Sequence, residues 1–252
     1  MNPFTYFIAA PFGNYLKYNR DAEMQHCISV TGTWTLKRRG GLLKRIWKIA
    51  STLRYDSKLR GWTNRLGLPN EGLLHGLKKM SQNDVLSIAA IEDGDWIKIY
   101  NILDDNISLE INLSCPNIDE TESLWKDLPA FCKSQKRKWC IAKISPLTSE
   151  GQLQYLIEKV GFQQIHLCNT LPSGKRGGLS GPELKPYVIG LLDLVRSRWG
   201  NDIELIAGGG VKTIRDVNDY ISAGANHISL GTVCFTPWRV KRIIKNIPNL
   251  SN

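Results

Sequence analysis

Short apolar runs alternate with amphipathic stretches along almost the whole chain. Eight runs have the length and composition of β-strands, and several are apolar at nearly every position. That pattern is typical of parallel strands covered on both faces. The predicted strands are 5–10, 27–32, 85–90, 108–114, 140–145, 164–169, 204–209 and 227–232.

The stretches between these strands have the apolar period of helices, and Ser149 and Thr213 stand where capping residues are expected. The predicted helices are about 70–80, 120–134, 148–160, 182–198, 213–222 and 236–246. Eight strands alternating with helices predict an α/β fold, a (β/α)₈ TIM barrel forming a single domain over 1–252. A doubly wound open sheet is the alternative, but it usually has a glycine-rich turn after the first strand. Here that turn reads Pro-Phe-Gly-Asn.

Length and composition agree with this interpretation. The chain has 252 residues, of which 42% are hydrophobic and 22% charged, which excludes global disorder. No apolar run approaches the roughly 20 residues of a membrane-spanning helix. The six cysteines form no C-x-x-C pair, which argues against a disulfide framework or a zinc site. We therefore expect a reducing compartment and a cytoplasmic protein.

The net charge of the chain bears on the kind of partner it binds. The chain carries 33 lysine and arginine residues against 23 aspartate and glutamate residues, a formal charge of +10. This balance favours an anionic partner, although scattered basic residues are also typical of solvated faces. One long basic insertion, at about 33–69, also contains Trp34, Trp47 and Trp62. In a barrel such an insertion covers the active-site mouth or packs on a neighbouring subunit.

Candidate chemistry is sought at the carboxyl ends of the strands, where barrels build their sites. Glycines follow the seventh and eighth predicted strands. Turns alone explain either glycine motif, but together they favour a phosphate site. Lys143 lies in an apolar strand, where a buried carboxylate or a bound anionic group would offset its charge. Cys115 lies among polar residues; most cysteines are inert and buried, but this position also fits a thiol acting as a base. The dispersed histidines predict no metal site.

Several of these segments resemble the motifs of one known family. Residues 112–117, Asn-Leu-Ser-Cys-Pro-Asn, are similar to the active-site loop of dihydroorotate dehydrogenases with a class 1-like cysteine, and 64–70 resemble their substrate-holding loop. The similarity continues, in the family's order, at Lys143, Asn169-Thr170, 177–181, Gly209-Gly210 and 230–232. The chain thus resembles a shortened member of that family.

The resemblance implies an FMN-binding barrel that oxidises dihydroorotate to orotate in pyrimidine biosynthesis. The implied catalytic residues are Cys115, which would take the proton at C5 while hydride passes from C6 to flavin N5, and Lys143. The implied substrate-binding residues are Asn64, Gly67, Leu68, Asn112, Asn117, Asn169 and Thr170. The implied FMN-binding residues are Ala10, Thr33, Asn112, Lys143, Thr170, Gly181, Gly209, Gly210, Gly231 and Thr232.

The resemblance also implies a small dihydroorotate-like substrate and allows a homodimer; we expect neither a membrane segment nor a nucleic-acid partner. One departure concerns the family's lysine near flavin and substrate. Its aligned positions here are Asn14 and Gly32, so that cation is missing unless Lys17 or Lys37 replaces it. The missing lysine leaves open a related FMN oxidoreductase acting on another cyclic amide or enone. The net charge and the basic, tryptophan-containing insertion leave open a repurposed barrel that binds a polyanion.

Overall fold

The structure, a computed structural model, describes residues 2–18, 21–113, 125–134 and 136–246. Twelve strands lie within these ranges. In chain order they are β1 Tyr6–Ile8, β2 Cys27–Thr35, β3 Arg54–Asp56, β4 Gly61–Asn64, β5 Val85–Ala89, β6 Leu109–Asn112, β7 Cys140–Ile144, β8 Gln164–Leu167, β9 Leu171–Pro172, β10 Gly178–Ser180, β11 Glu204–Gly208 and β12 His227–Leu230.

Eight of these strands close into a parallel barrel in the order β1-β12-β11-β8-β7-β6-β5-β2. Each barrel strand pairs with the next one along the chain, and the first pairs with the last. Every residue of β5 and β11 is buried, as expected where helices cover the outside and side chains fill the inside. The predicted (β/α)₈ fold is confirmed, and each predicted strand corresponds to one barrel strand.

Helices follow most barrel strands. Their bounds are α1 Leu42–Thr52, α2 Leu73–Lys79, α3 Asp95–Ile102, α4 Pro129–Cys132, α5 Glu150–Gln154, α6 Lys185–Trp199, α7 Ile214–Ser222 and α8 Pro237–Ile244. The predicted caps are confirmed, because Ser149 and Thr213 each form a reciprocal capping box. Of the predicted helix 120–134, the described part contains α4. Neither α1 nor α3 was predicted.

The basic insertion forms structure of its own beside the barrel. Strands β3 and β4 pair with β10 and β9 in a four-stranded sheet of order β3-β4-β10-β9. Asn64 at the end of β4 stands opposite Gly178 of β10. The insertion is thereby tied to the loop that follows β8, on the side of the barrel where the strands end.

The amino-terminal side of the barrel is filled by packed side chains. The rings of Phe7 and Trp139 meet edge to face at 5.0 Å, and His227 packs against Trp139 at 5.2 Å. Val30 and Ile206 are buried in the same cluster. With this layer in place, the space left for a ligand lies toward the carboxyl ends of the strands.

Candidate active site

A large cavity opens at the carboxyl ends of the barrel strands. Its volume is about 1510 Å³, and its wall comes from the segments that follow β1, β2, β6, β8, β11 and β12. Residues of the insertion, from Arg38 to Pro69, supply part of this wall. The described lining residues include seven lysines and arginines and no aspartate or glutamate. The cavity is therefore suited to anionic ligands.

Most of the predicted site residues line this cavity. They are Ala10, Thr33, Asn64, Gly67, Leu68, Asn112, Lys143, Asn169, Thr170, Gly209, Gly210, Gly231 and Thr232. Gly181 does not line the wall; its carbonyl oxygen lies behind Gly210, 2.9 Å from where a Cβ on Gly210 would stand. Cys115 and Asn117 lie outside the described residues.

A buried charge network supports the cavity from below. The Glu110 carboxylate lies 3.5 Å from Lys143 Nζ and accepts hydrogen bonds from Ser87 Oγ at 2.9 Å and His166 Nδ1 at 2.7 Å. Glu110 is 1% exposed and Lys143 is 7% exposed. The carboxylate therefore compensates a cation that would be costly to bury alone.

The ionisation of this network follows from its geometry. Burial alone would raise the pKa of Glu110, but the Lys143 charge and the hydrogen bonds from His166 and Ser87 outweigh burial and lower it to about 2. Burial, reinforced by Lys143, lowers the pKa of His166 despite the opposing Glu110 charge. Glu110 is thus ionised at neutral pH, and His166 is neutral with its Nδ1 proton donated to the carboxylate.

Amide side chains form a second layer above the network. Asn112 Nδ2 donates to Thr33 Oγ1 at 3.3 Å, and Asn169 Nδ2 lies 3.4 Å from Asn112 Oδ1. Thr33 Oγ1 is in turn 2.9 Å from Ser87 Oγ, which connects the two layers. Strands β2 and β6 and the segment after β8 thereby hold amide donors and acceptors in fixed orientations at the cavity wall.

The loop after β4 is held over the cavity by one buried side chain. Asn70 Oδ1 accepts from the Gly72 backbone N–H at 2.8 Å, and its Nδ2 donates to the Leu68 carbonyl at 2.9 Å and to Thr35 Oγ1 at 3.0 Å. Gly67 and Leu68 have positive φ values of 65° and 53°. Asn70 therefore fixes the turn that presents the residues after Asn64 to the cavity.

The glycine loops after β11 and β12 form a cradle with free backbone donors. Gly209 and Gly210 have φ values of 96° and 71°, and Tyr220 Oη fixes their loop by donating to the Gly209 carbonyl at 2.6 Å. No hydrogen bond among the described residues occupies the N–H groups of Gly210, Gly231 and Thr232. Such N–H groups beside glycines fit a phosphate group.

Comparison with known proteins identifies the family. A family model described as dihydroorotate dehydrogenase matches residues 50–250. The chain belongs to the dihydroorotate dehydrogenase family. The predicted family, and with it the prediction of an oxidoreductase enzyme, is confirmed.

Two relatives are about one-third identical to the chain over the aligned residues. The chain is 34% identical over 223 residues to the dihydroorotate dehydrogenase B (NAD(+)) catalytic subunit of Staphylococcus carnosus, covering 75% of this chain and 72% of the relative. With the protein of the same name from Malacoplasma penetrans it is 33% identical over 207 residues, covering 69% and 67%. The fold also matches a crystal structure of the Eimeria tenella enzyme with ferulenol, with TM-score 0.72, 19% identity, and 95% and 79% of the two chains covered.

The family resemblance implies a lysine near flavin and substrate, and Lys17 and Lys37 were its possible replacements in this chain. Lys17 Nζ pairs with Asp84 at 2.7 Å and Lys37 Nζ pairs with Glu92 at 2.6 Å, and neither lines the cavity. Neither lysine therefore contributes a cation to the cavity wall. At the aligned positions, Gly32 N–H donates to Asn14 Oδ1 at 3.0 Å.

Three members of the charge network were missed by the sequence analysis: Ser87, Glu110 and His166. A signal was available, because Glu110 and Lys143 are both ionisable residues inside apolar strands. The pairing register adds His166 to the network, because Lys143 on β7 stands directly opposite His166 on β8.

The described residues contain neither a metal-ligand cluster nor a membrane-spanning helix. Within the described ranges, no three His, Cys, Asp or Glu side chains come together as a metal site. None of the described helices is long and apolar enough to cross a membrane.

Proposed function

We propose that this protein oxidises dihydroorotate to orotate with FMN as its flavin, a step of pyrimidine biosynthesis. The observation that supports this proposal is a single cavity in a chain of the dihydroorotate dehydrogenase family. It combines a floor that contains Lys143, a wall of oriented asparagines, and a glycine cradle whose backbone N–H groups have no partner among the described residues.

The hydrogen-bond donors along the inner cavity are suited to FMN. The N–H groups of Gly210, Gly231 and Thr232, with Gly209 shaping their loop, would hold the phosphate. The residues proposed to bind the flavin ring or ribityl chain are Ala10, Thr33, Asn112, Lys143 and Thr170, with Gly181 supporting the cradle from behind. The bound flavin would supply the oxidant, as the acceptor of a hydride.

The pyrimidine would lie against the amide layer. Asn64, Asn112 and Asn169 offer donors and acceptors that match the amide and carbonyl edges of a planar ring. The proposed substrate-binding residues also include Gly67, Leu68, Asn117 and Thr170. The cationic cavity wall favours a substrate that carries a carboxylate.

The chain's own part in the reaction is to move one proton and to hold one charge. We assign the base to Cys115, whose thiolate takes the proton from C5 as the C6 hydride leaves, giving the ring double bond of orotate. Lys143, held by Glu110, would supply a fixed positive charge beside the flavin when it is bound. Cys168 also lines the cavity, but burial raises the pKa of its thiol to about 12, so Cys168 is protonated and unsuited to the role of base.

An anaerobic half-reaction tests the proposal. The purified protein should bind FMN and lose its yellow colour when dihydroorotate is added. Cys115→Ser should slow this bleaching by at least about a hundredfold, the usual scale of general-base catalysis. The control Cys132→Ser, at a half-buried position off the cavity, should bleach like the unmodified protein. A protein that fails to take up FMN would overturn the proposal.

A second candidate is a flavin oxidoreductase that acts on another cyclic amide or an enone. The Asn14–Gly32 contact favours it, because the family's lysine is missing there and the structure provides neither substitute. Bleaching by NADPH, reoxidation by a different unsaturated compound and no response to dihydroorotate would select this candidate. A homodimer and a cytoplasmic location stay predictions.

A further inference from the structure

Helix α1, in the basic insertion, turns its apolar side toward solvent. None of its residues is buried. Leu43 is 84% exposed, Trp47 62%, Leu42 57% and Ile46 53%. These four residues recur at helical spacing and share one side of α1, which we call the α1 apolar face. A surface helix normally places such a face on the core, so this orientation leaves the face without a partner among the described residues.

The orientation of α1 is held by polar contacts on its other side. Arg45 Nη2 pairs with Glu71 at 2.6 Å, and both side chains are largely buried. Arg45 Nη1 also donates to Tyr15 Oη at 2.7 Å. Lys44, Arg45 and Lys48 line the cavity. Arg45 therefore anchors α1 at the cavity mouth, and these contacts leave the apolar face pointing outward.

The charge around α1 indicates what covers the face. Residues 37–54 contain seven lysines and arginines and no aspartate or glutamate. Lys37 and Arg45 form ion pairs, whereas the other five have no carboxylate within 4.0 Å among the described residues. Lys48 Nζ lies 5.8 Å from the Trp47 ring centroid, beside the apolar face. Exposed leucine and tryptophan flanked by unpaired cations is the pattern of a helix that lies in a lipid interface.

A second copy of the chain fits this surface less well. A symmetric interface built on α1 would bring two sets of unpaired cations together. A partner of this surface must cover the apolar side chains and neutralise the cations. An anionic lipid surface does both, because its acyl boundary covers the side chains and its phosphates neutralise the cations.

We propose that α1 docks the protein on anionic membrane surfaces, with Leu43 and Trp47 at the acyl boundary and Lys44 and Lys48 at the lipid phosphates. Docking in this orientation places the mouth of the cavity, whose wall α1 forms, at the membrane surface. The proposal does not depend on the proposed reaction, since it rests on the exposed face and its charge.

Vesicle co-flotation of the FMN-loaded full-length protein tests the proposal. The protein should float with vesicles of phosphatidylcholine and phosphatidylglycerol at low salt, and much less with phosphatidylcholine alone. The double variant Leu43→Ser/Trp47→Ser should weaken the partition coefficient at least about tenfold, the scale expected for two large apolar side chains. Leu74→Ser is the matched control, because Leu74 is an exposed leucine, 62% accessible, on α2; it should float like the unmodified protein.

The electrostatic part is tested by Lys44→Gln/Lys48→Gln. This variant should lose affinity for phosphatidylglycerol vesicles, and raising the salt should reduce the difference from the unmodified protein. Unchanged thermal unfolding temperatures would show that the exposed substitutions leave the fold intact.

Three results would overturn the proposal. The first is that the protein does not float with phosphatidylglycerol vesicles at low salt, which would favour an acidic protein as the partner. Another is flotation that Leu43→Ser/Trp47→Ser does not weaken. The third is a lipid-free dimer in light scattering that this double variant dissociates, which would assign the face to self-association.

Discussion

Replacing Glu110 by glutamine tests whether the charge network holds the floor of the cavity. Glutamine keeps the size of the side chain but removes the negative charge that faces Lys143 at 3.5 Å. It also gives His166 a weaker acceptor than the carboxylate it bonds at 2.7 Å. The variant thus leaves a buried lysine without its counter-charge, which is the costly way to break a buried pair.

The magnitude follows from the ionisation of Glu110. Lowering its pKa from an ordinary 4.5 to about 2 corresponds to about 3 kcal/mol of unfolding free energy at neutral pH. Breaking a buried pair from one side typically costs roughly 3–5 kcal/mol, which agrees. Because the pKa is lower in the folded state, this stabilisation is complete above the unfolded pKa near 4.5. It is lost as the pH falls toward 2.

Urea denaturation at neutral pH is the assay, applied to the unmodified protein, Glu110→Gln, Lys143→Met and the double variant. Glu110→Gln should be about 3 kcal/mol less stable, and adding Lys143→Met should recover part of the loss by removing the unpaired charge. The difference between the unmodified protein and Glu110→Gln should shrink below pH 4.5. A loss within about 0.5 kcal/mol, or no recovery in the double variant, would refute the electrostatic account.

Further predictions concern the glycine cradle and the loop over the cavity. Gly210→Ala should weaken FMN binding about tenfold in a fluorescence titration, because φ is 71° and the new Cβ would stand 2.9 Å from the Gly181 carbonyl oxygen. Gly190→Ala, inside α6 with no atom within 4 Å of the new Cβ, should leave FMN affinity unchanged and add about 0.5–1 kcal/mol of stability. Asn70→Ala should lose about 1–3 kcal/mol of unfolding free energy and raise KM for dihydroorotate more than it lowers kcat.

Two results would contradict these predictions. Equal FMN affinity in Gly210→Ala and Gly190→Ala would remove the cradle from the FMN site. An Asn70→Ala protein with an unchanged KM would show that its loop does not present residues to the substrate.

The barrel was predictable because burial on both faces gives its strands an apolar signature. Helix α1 was missed for the opposite reason, since its apolar positions face solvent within a strongly basic segment. Strands β4 and β10 have four and three residues and pair across more than a hundred positions, so no local period marks them.

The site was predictable where a residue stands at a strand end and not where pairing between strands decides its role. Asn112, Lys143 and the glycines of the last two strands were found in this way, and they line the cavity. The partnership of Glu110 with His166 depends on the register of three strands, which the sequence does not state.

Anaerobic titration of the FMN-loaded protein with dihydroorotate, followed by the visible absorbance of the flavin, tests the central claim most directly. The account predicts that one equivalent of dihydroorotate bleaches one equivalent of flavin and yields one equivalent of orotate. A flavin that stays oxidised with excess dihydroorotate, while another reductant bleaches it, would contradict the account.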